Sequence, residues 1–165
     1  MSDTLLPDEI VALARRVVEE NRAAGRKVAL AESCTGGLVA AALTEIPGSS
    51  AVLDRSFVTY SNEAKREMLG VSNDVIEAFG AVSIACVYAM AQGALVNSNA
   101  DVAVAVSGIA GPEGGSDLKP VGTVVFARAL RDSEEREAEA KLFDAADRGG
   151  VRLQATLCAL ELLLP

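Results

Sequence analysis

The chain contains no histidine among its 165 residues. That absence excludes His-based triads, Cys–His dyads and His-ligated zinc supplied by this chain, so any acid–base chemistry must use other groups. Cysteine is scarce as well. Cys34, Cys86 and Cys158 form an odd set without CxxC spacing, which suggests neither a fully paired disulfide framework nor a zinc knuckle; reduced thiols, no metal and no cofactor are expected. No apolar run reaches the length of a membrane span, and the N-terminus carries Asp3, Asp8 and Glu9 rather than a basic segment leading into an apolar one. A cytoplasmic chain without a membrane partner is expected. Basic residues are outnumbered, 15 Lys plus Arg against 23 Asp plus Glu, for a formal charge of −8. Such a surface repels phosphate backbones and anionic lipid, so nucleic acid is not expected as a partner.

Aromatics are few, and Ala, Val, Leu and Gly dominate, a composition suited to strands and helices packed closely in layers. The length fits one domain spanning residues 1–165. Apolar residues at Ile10, Val11, Ala14, Val17 and Val18 recur at helical spacing between Asp8 and Asn21, which predicts an amphipathic first helix. Lys27 to Ala31 reads as a strand, Glu32 to Gly37 as a tight turn, and Leu38 to Leu43 as a helix. Ser56 to Tyr60 reads as a second strand, with Lys65 on a short helix after it. Gly70 ends that helix, Ser72 or Asn73 caps the next, and Ser83 caps a long apolar helix through Val96. The continuous apolar run Val102 to Val106 predicts a central buried strand. Val121 to Leu130 and Glu135 to Phe143 predict a hairpin, and Gly150 to Leu163 a closing helix. Parallel βα units with an antiparallel edge give a three-layer α/β/α sandwich with a mixed, mostly parallel sheet. The apolar faces of the first and last helices suggest a homo-oligomer.

In open α/β sheets, ligands bind beyond the carboxyl ends of strands, and two such ends lead here into unusual loops. In the first, Ala31 to Gly37, the glycines permit close backbone approach, and the following helix would aim free N–H groups at an anion. The same residues also read as a plain turn in which Ser33 or Thr35 caps the helix. In the second, Ser107 to Gly115, four glycines among nine residues exceed what chain reversal requires; a ligand-wrapping loop and a mobile surface loop both fit. No Gly-Lys-Ser/Thr follows, so this is not a Walker loop. Tyr60 and Lys65 stand five residues apart, where a turn of helix would bring phenol and amine to one site. A desolvated lysine can take the proton of a serine hydroxyl, whereas a solvated surface lysine cannot. Cys34 competes as a nucleophile unless it is a buried, inert thiol. Arg148 and Arg152 at the last helix fit either a phosphate clamp or an ordinary helix start.

Together, Ala31-Glu32-Ser33-Cys34-Thr35-Gly36-Gly37, Tyr60-Ser61-Asn62 with Lys65, Leu69-Gly70-Val71, Gly80-Ala81-Val82-Ser83, Gly108-Ile109-Ala110-Gly111-Pro112 and Pro120-Val121-Gly122-Thr123-Val124 resemble the CinA C-terminal domain family over nearly the whole chain. Active members of that family include nicotinamide mononucleotide amidohydrolases. The resemblance implies metal-free hydrolysis of the substrate carboxamide to nicotinic acid mononucleotide and ammonia. Ser33 matches the proposed nucleophile, Lys65 the general base and Tyr60 an assisting phenol. The substrate-binding set it implies comprises Glu32, Thr35, Gly36, Gly37, Asn62, Ser107, Gly108, Ile109, Ala110, Gly111 and Arg148. The glycine turn is expected to supply N–H donors to an oxyanion or phosphate. Two positions depart from the family's usual residues, Ser107 in place of Thr and Ile84 in place of an acidic residue. Family members are often fused to an N-terminal molybdopterin-binding-like domain, whose activity is not expected here. The alternative is a non-catalytic nucleotide-binding or regulatory domain linked to competence or DNA-damage responses, in which Ser33 would bind without reacting.

Overall fold

Two strands buried on both faces organise the computed structural model, which describes residues 3–145 and 147–165. They are β1 (Val28–Glu32) and β3 (Val102–Gly108), whose near-continuous apolar runs need helices on either side. They pair in parallel at the centre of a five-stranded sheet. β2 (Leu53–Val58) pairs in parallel outside β1. On the far side, β4 (Thr123–Leu130) and β5 (Glu137–Leu142) add as the expected antiparallel hairpin. The order is β2-β1-β3-β4-β5, so four strands share a direction and β4 alone opposes them.

Strand alternation divides the core in two. Val28 and Leu30 of β1, with Val102, Val104 and Val106 of β3, face α1 (Asp8–Ala23), α2 (Leu38–Thr44) and α6 (Arg148–Leu162). Ala29, Ala31, Ala103 and Ala105 face α3 (Asn62–Leu69), α4 (Asn73–Phe79) and α5 (Ile84–Val96). The result is the expected α/β/α sandwich. Small alanines on the second face let α5 lie close to the sheet. Gly93 lets α5 approach α3 closely as well, because a Cβ there would fall on the Leu69 carbonyl.

Several boundaries differ from the sequence-based expectation, β1, β3, β4 and β5 by one or two residues at one or both ends. β2 starts and ends earlier than Ser56 to Tyr60, leaving Thr59 and Tyr60 beyond the strand, where their carbonyls turn toward α3. The first helix runs on to Ala23, because Arg22 and Ala23 continue it without a breaker until Gly25 adopts φ +64°. The last begins at Arg148, two residues early, with Asp147 capping it by accepting from the Gly150 N–H. Ser72, rather than Asn73, caps α4, and Ser83 caps α5. The apolar faces of α1 and α6, from which self-association was expected, are consumed in one core cluster that includes Val17, Ala155 and Leu160. None of the described helices is long and apolar enough to cross a membrane.

Candidate active site

The chain leaves β1 toward β2 on one side of the sheet and later enters β3 on the other. This topological switch point opens a crevice at the carboxyl ends of the two central strands. Ser33 follows β1, and Ser107 lies near the end of β3. Side-chain alternation carries Ser33 to the same sheet face as Ala29 and Ala31, the face on which α3 packs.

Lys65 reaches that point from α3, which Ser61 caps by accepting from the Ala64 N–H. Its Nζ lies 3.0 Å from Ser33 Oγ, 2.8 Å from the Thr59 carbonyl and 3.1 Å from the Tyr60 carbonyl. Ser33 is only 7% exposed and Lys65 only 1%. No carboxylate pairs with this amine among the described residues. Burial therefore pushes its pKa below that of a free lysine, against a weaker opposing influence from the Cys86 and Cys34 thiols. A neutral amine has two N–H bonds and one lone pair. In that neutral form, with two carbonyls to receive the N–H bonds, the lone pair would be directed at Ser33.

The turn after Ser33 is held from inside by Glu32. Its Oε1 accepts from the Thr35 hydroxyl and the Gly37 and Val39 N–H groups, and its Oε2 from the Ala40 N–H and the Ser56 hydroxyl. A φ of +105° at Gly37 turns the chain into α2. From outside, Arg152 donates to the carbonyls of Cys34 and Thr35. The N-terminus of α2 is thus occupied by a carboxylate of the chain itself. Gly36 donates to the Ser33 carbonyl and Gly37 to Glu32, so these glycines have no free N–H for an anion.

The adjoining cleft has a volume of about 280 Å³ and is lined by Ser33, Tyr60, Asn62, Lys65, Arg148 and the 107–111 segment. Those expected residues converge. Glu32, Thr35, Gly36 and Gly37 do not line it, and the side chains of Glu32 and Thr35 are spent within the turn. The sequence reading passed over Ala81 and Val82 as lining residues, whereas Glu113 and Gly114 belong to the 107–115 loop it singled out without naming them in the binding set. Gly80-Ala81-Val82-Ser83 was a recognisable motif, but only the fold shows that it borders the cleft. Ser107 donates to the Ala81 carbonyl at 3.0 Å, tying these two walls together. Ile84 lines a separate groove with Phe79 and Tyr88. Tyr60 meets Lys65 through its carbonyl, whereas its phenol oxygen accepts from Arg148, which also donates to the Gly111 carbonyl. Cys34 lines the cleft, but burial pushes its thiol up to about 11, well away from a reactive thiolate. Among the described residues, no three Cys, Asp or Glu side chains gather as a metal-holding group.

The family model for the CinA C-terminal domain matches residues 10–165. A nicotinamide-nucleotide amidohydrolase PncC of Enterobacter agglomerans is 56% identical over 143 residues, 87% of this chain and 86% of that protein. The protein of the same name from Escherichia coli strain K12 is 50% identical over 158 residues, covering 94% of this chain and 93% of the relative. Among solved structures, the competence/damage inducible protein CihA of Agrobacterium tumefaciens superposes with a TM-score of 0.93 at 50% identity, over 99% of this chain and 97% of that one. The architecture, the loops at the switch point and the sequence identity agree, and this chain belongs to the CinA C-terminal domain family.

Proposed function

We propose that this chain hydrolyses the carboxamide of nicotinamide mononucleotide to nicotinic acid mononucleotide and ammonia, with Ser33 as nucleophile and Lys65 as general base. The observation that carries the reading is the 3.0 Å separation of Lys65 Nζ and Ser33 Oγ in a buried setting, in a chain 50% identical to a named amidohydrolase over most of both sequences. Ser33 Oγ attacks the amide carbon as its proton passes to Lys65. Collapse of the tetrahedral intermediate breaks the C–N bond, and Lys65 returns the proton to the departing nitrogen, releasing ammonia. Water then attacks the Ser33 ester as Lys65 takes its proton, and Lys65 passes that proton to the departing Ser33 Oγ, which frees the acid and restores the serine and the neutral amine.

The Ala110 and Gly111 N–H groups bond to no other described residue and border the cleft. They are the donors assigned here to the oxyanion or the phosphate, in place of the committed glycines of the first turn. Arg148 provides a guanidinium for the phosphate and steadies the Tyr60 phenol. Asn62, Ser107, Gly108 and Ile109 complete the substrate wall. The reaction needs no metal and belongs to cytoplasmic salvage of pyridine nucleotides.

The test is ammonia release from nicotinamide mononucleotide, with chelator present, by the wild-type protein and by Ser33→Ala. Release by the wild type alone supports the serine amidohydrolase. A folded wild type that binds the nucleotide without turnover supports the non-catalytic binding domain instead.

A further inference from the structure

The cleft beside Ser33 carries one acidic side chain among the described residues that line it, Glu113. The proposed reaction gives that residue no role. Glu113 is exposed, and its carboxylate makes no hydrogen bond or ion pair with any described residue. The same is untrue of the other two charged groups in the cleft. Lys65 is held by two carbonyls, and Arg148 is bonded to the Gly111 carbonyl and the Tyr60 phenol.

The segment bearing Glu113 is anchored on both sides. Ile109 donates to the Thr123 carbonyl at 2.9 Å, and Gly122 donates back to the Ile109 carbonyl at 2.8 Å. Arg148 holds Gly111, and Ser116 donates to the Lys119 carbonyl. A Cβ at Gly115 would meet the Val121 backbone nitrogen, so the loop lies against the 120–122 segment. An unpaired carboxylate on an anchored wall costs little while solvated and can pair with a cationic ligand.

We infer that Glu113 is a specificity-determining residue that selects an amide carried on a positively charged, N-alkylated pyridinium ring over the same amide on a neutral ring. The inference rests on the proposed hydrolysis of nicotinamide mononucleotide and deepens it. That nucleotide is a zwitterion in its ring and phosphate. The cleft offers a carboxylate at Glu113 and a guanidinium at Arg148, matching the two charges of the nucleotide, while burial disfavours the charged form of Lys65. Among the described residues lining the cleft, Glu113 is the one whose charge is opposite to that of a pyridinium ring.

The dihydro form of nicotinamide mononucleotide provides the discriminating ligand, since it keeps amide, ribose and phosphate but has an uncharged ring. Dissociation constants for both ligands are measured by calorimetry on Ser33→Ala and on Ser33→Ala/Glu113→Gln. The expected result is a weakening of about three- to fivefold for the oxidised nucleotide in the Glu113→Gln protein, the range of a solvent-exposed charge pair, with the dihydro form little changed. Added salt should weaken binding of the oxidised form by Ser33→Ala and erase the difference between the two proteins. An equal change for both ligands, or none for either, overturns the role of Glu113. If the wild type neither binds nor hydrolyses nicotinamide mononucleotide, the functional reading itself fails; if it hydrolyses it and the ligand preference ignores Glu113, this inference fails alone.

Discussion

Lys65 Nζ and Ser33 Oγ meet at 3.0 Å across thirty-two residues of sequence, with the amine almost wholly out of solvent. A base whose native pKa is depressed by burial loses its proton at lower pH than a free lysine. The rate should therefore rise with pH and level off below the range in which an exposed lysine titrates. Lys65→Met should lower kcat by about 10²- to 10⁴-fold, the usual contribution of a positioned general base. A pH–rate profile unchanged in that variant would remove lysine from the mechanism.

The same depressed pKa bears on stability. Between the native value of Lys65 and its higher unfolded value, the unfolded chain binds more protons than the native one, so stability should increase as pH rises through that window. Denaturant melts across the alkaline range should show this rise in the wild type and lose it in Lys65→Met.

Cys34 adjoins Ser33 and lines the same cleft, yet its thiol titrates near 11. Alkylation by iodoacetamide at mildly alkaline pH should therefore be slow at Cys34 in the native protein and fast after denaturation, as followed by mass spectrometry. Cys34→Ala should retain turnover within about tenfold of wild type, whereas Ser33→Ala should not. The opposite pattern would transfer the nucleophile to sulfur.

Glu32→Gln replaces one carboxylate oxygen with an amide NH₂, which in place of Oε2 can accept from neither the Ala40 N–H nor the Ser56 hydroxyl. The expected cost is about 1–3 kcal/mol of stability, from a buried donor left without its acceptor. The fall in kcat should exceed the change in KM, because the carboxylate positions the Ser33 turn and does not line the cleft. A KM effect alone would return Glu32 to the substrate-binding set.

Gly93→Ala should force α3 and α5 apart at the Leu69 carbonyl, costing about 1–3 kcal/mol by overpacking. Since α3 carries Lys65, turnover should fall along with the melting temperature. Gln92→Ala, altering an exposed neighbour on the same helix, serves as the control. Equal thermal stability of the two variants would show that the helices absorb the added methyl group.

The layers were readable in the sequence because buried strands such as Val102 to Val106 and amphipathic helices such as Asp8 to Asn21 announce themselves by their periods. The cleft was less so. Glu32 and Ser33 are neighbours in one motif, but successive side chains along a strand point to opposite faces. Ser33 consequently meets α3, and Glu32 is taken up by α2. Counting alternation from Ala29 and Ala31 would have separated the two. Glu113 offered no comparable signal, since a glycine-rich loop has no period from which to assign a face. The carbonyl contacts of Thr59 and Tyr60 were also hidden, as they depend on where β2 stops rather than on which side chains follow it.

The lysine's two carbonyl partners have an evolutionary corollary. In many hydrolytic sites a third side chain orients the base, and losing that side chain disables the enzyme. Here the orienting groups are peptide oxygens, which every amino acid possesses, so point substitution at Thr59 or Tyr60 leaves the acceptors in place. The amine's orientation is thereby set by the backbone path of Thr59 and Tyr60, while their side chains answer to other demands, Thr59 to burial and the Tyr60 phenol to its bond with Arg148.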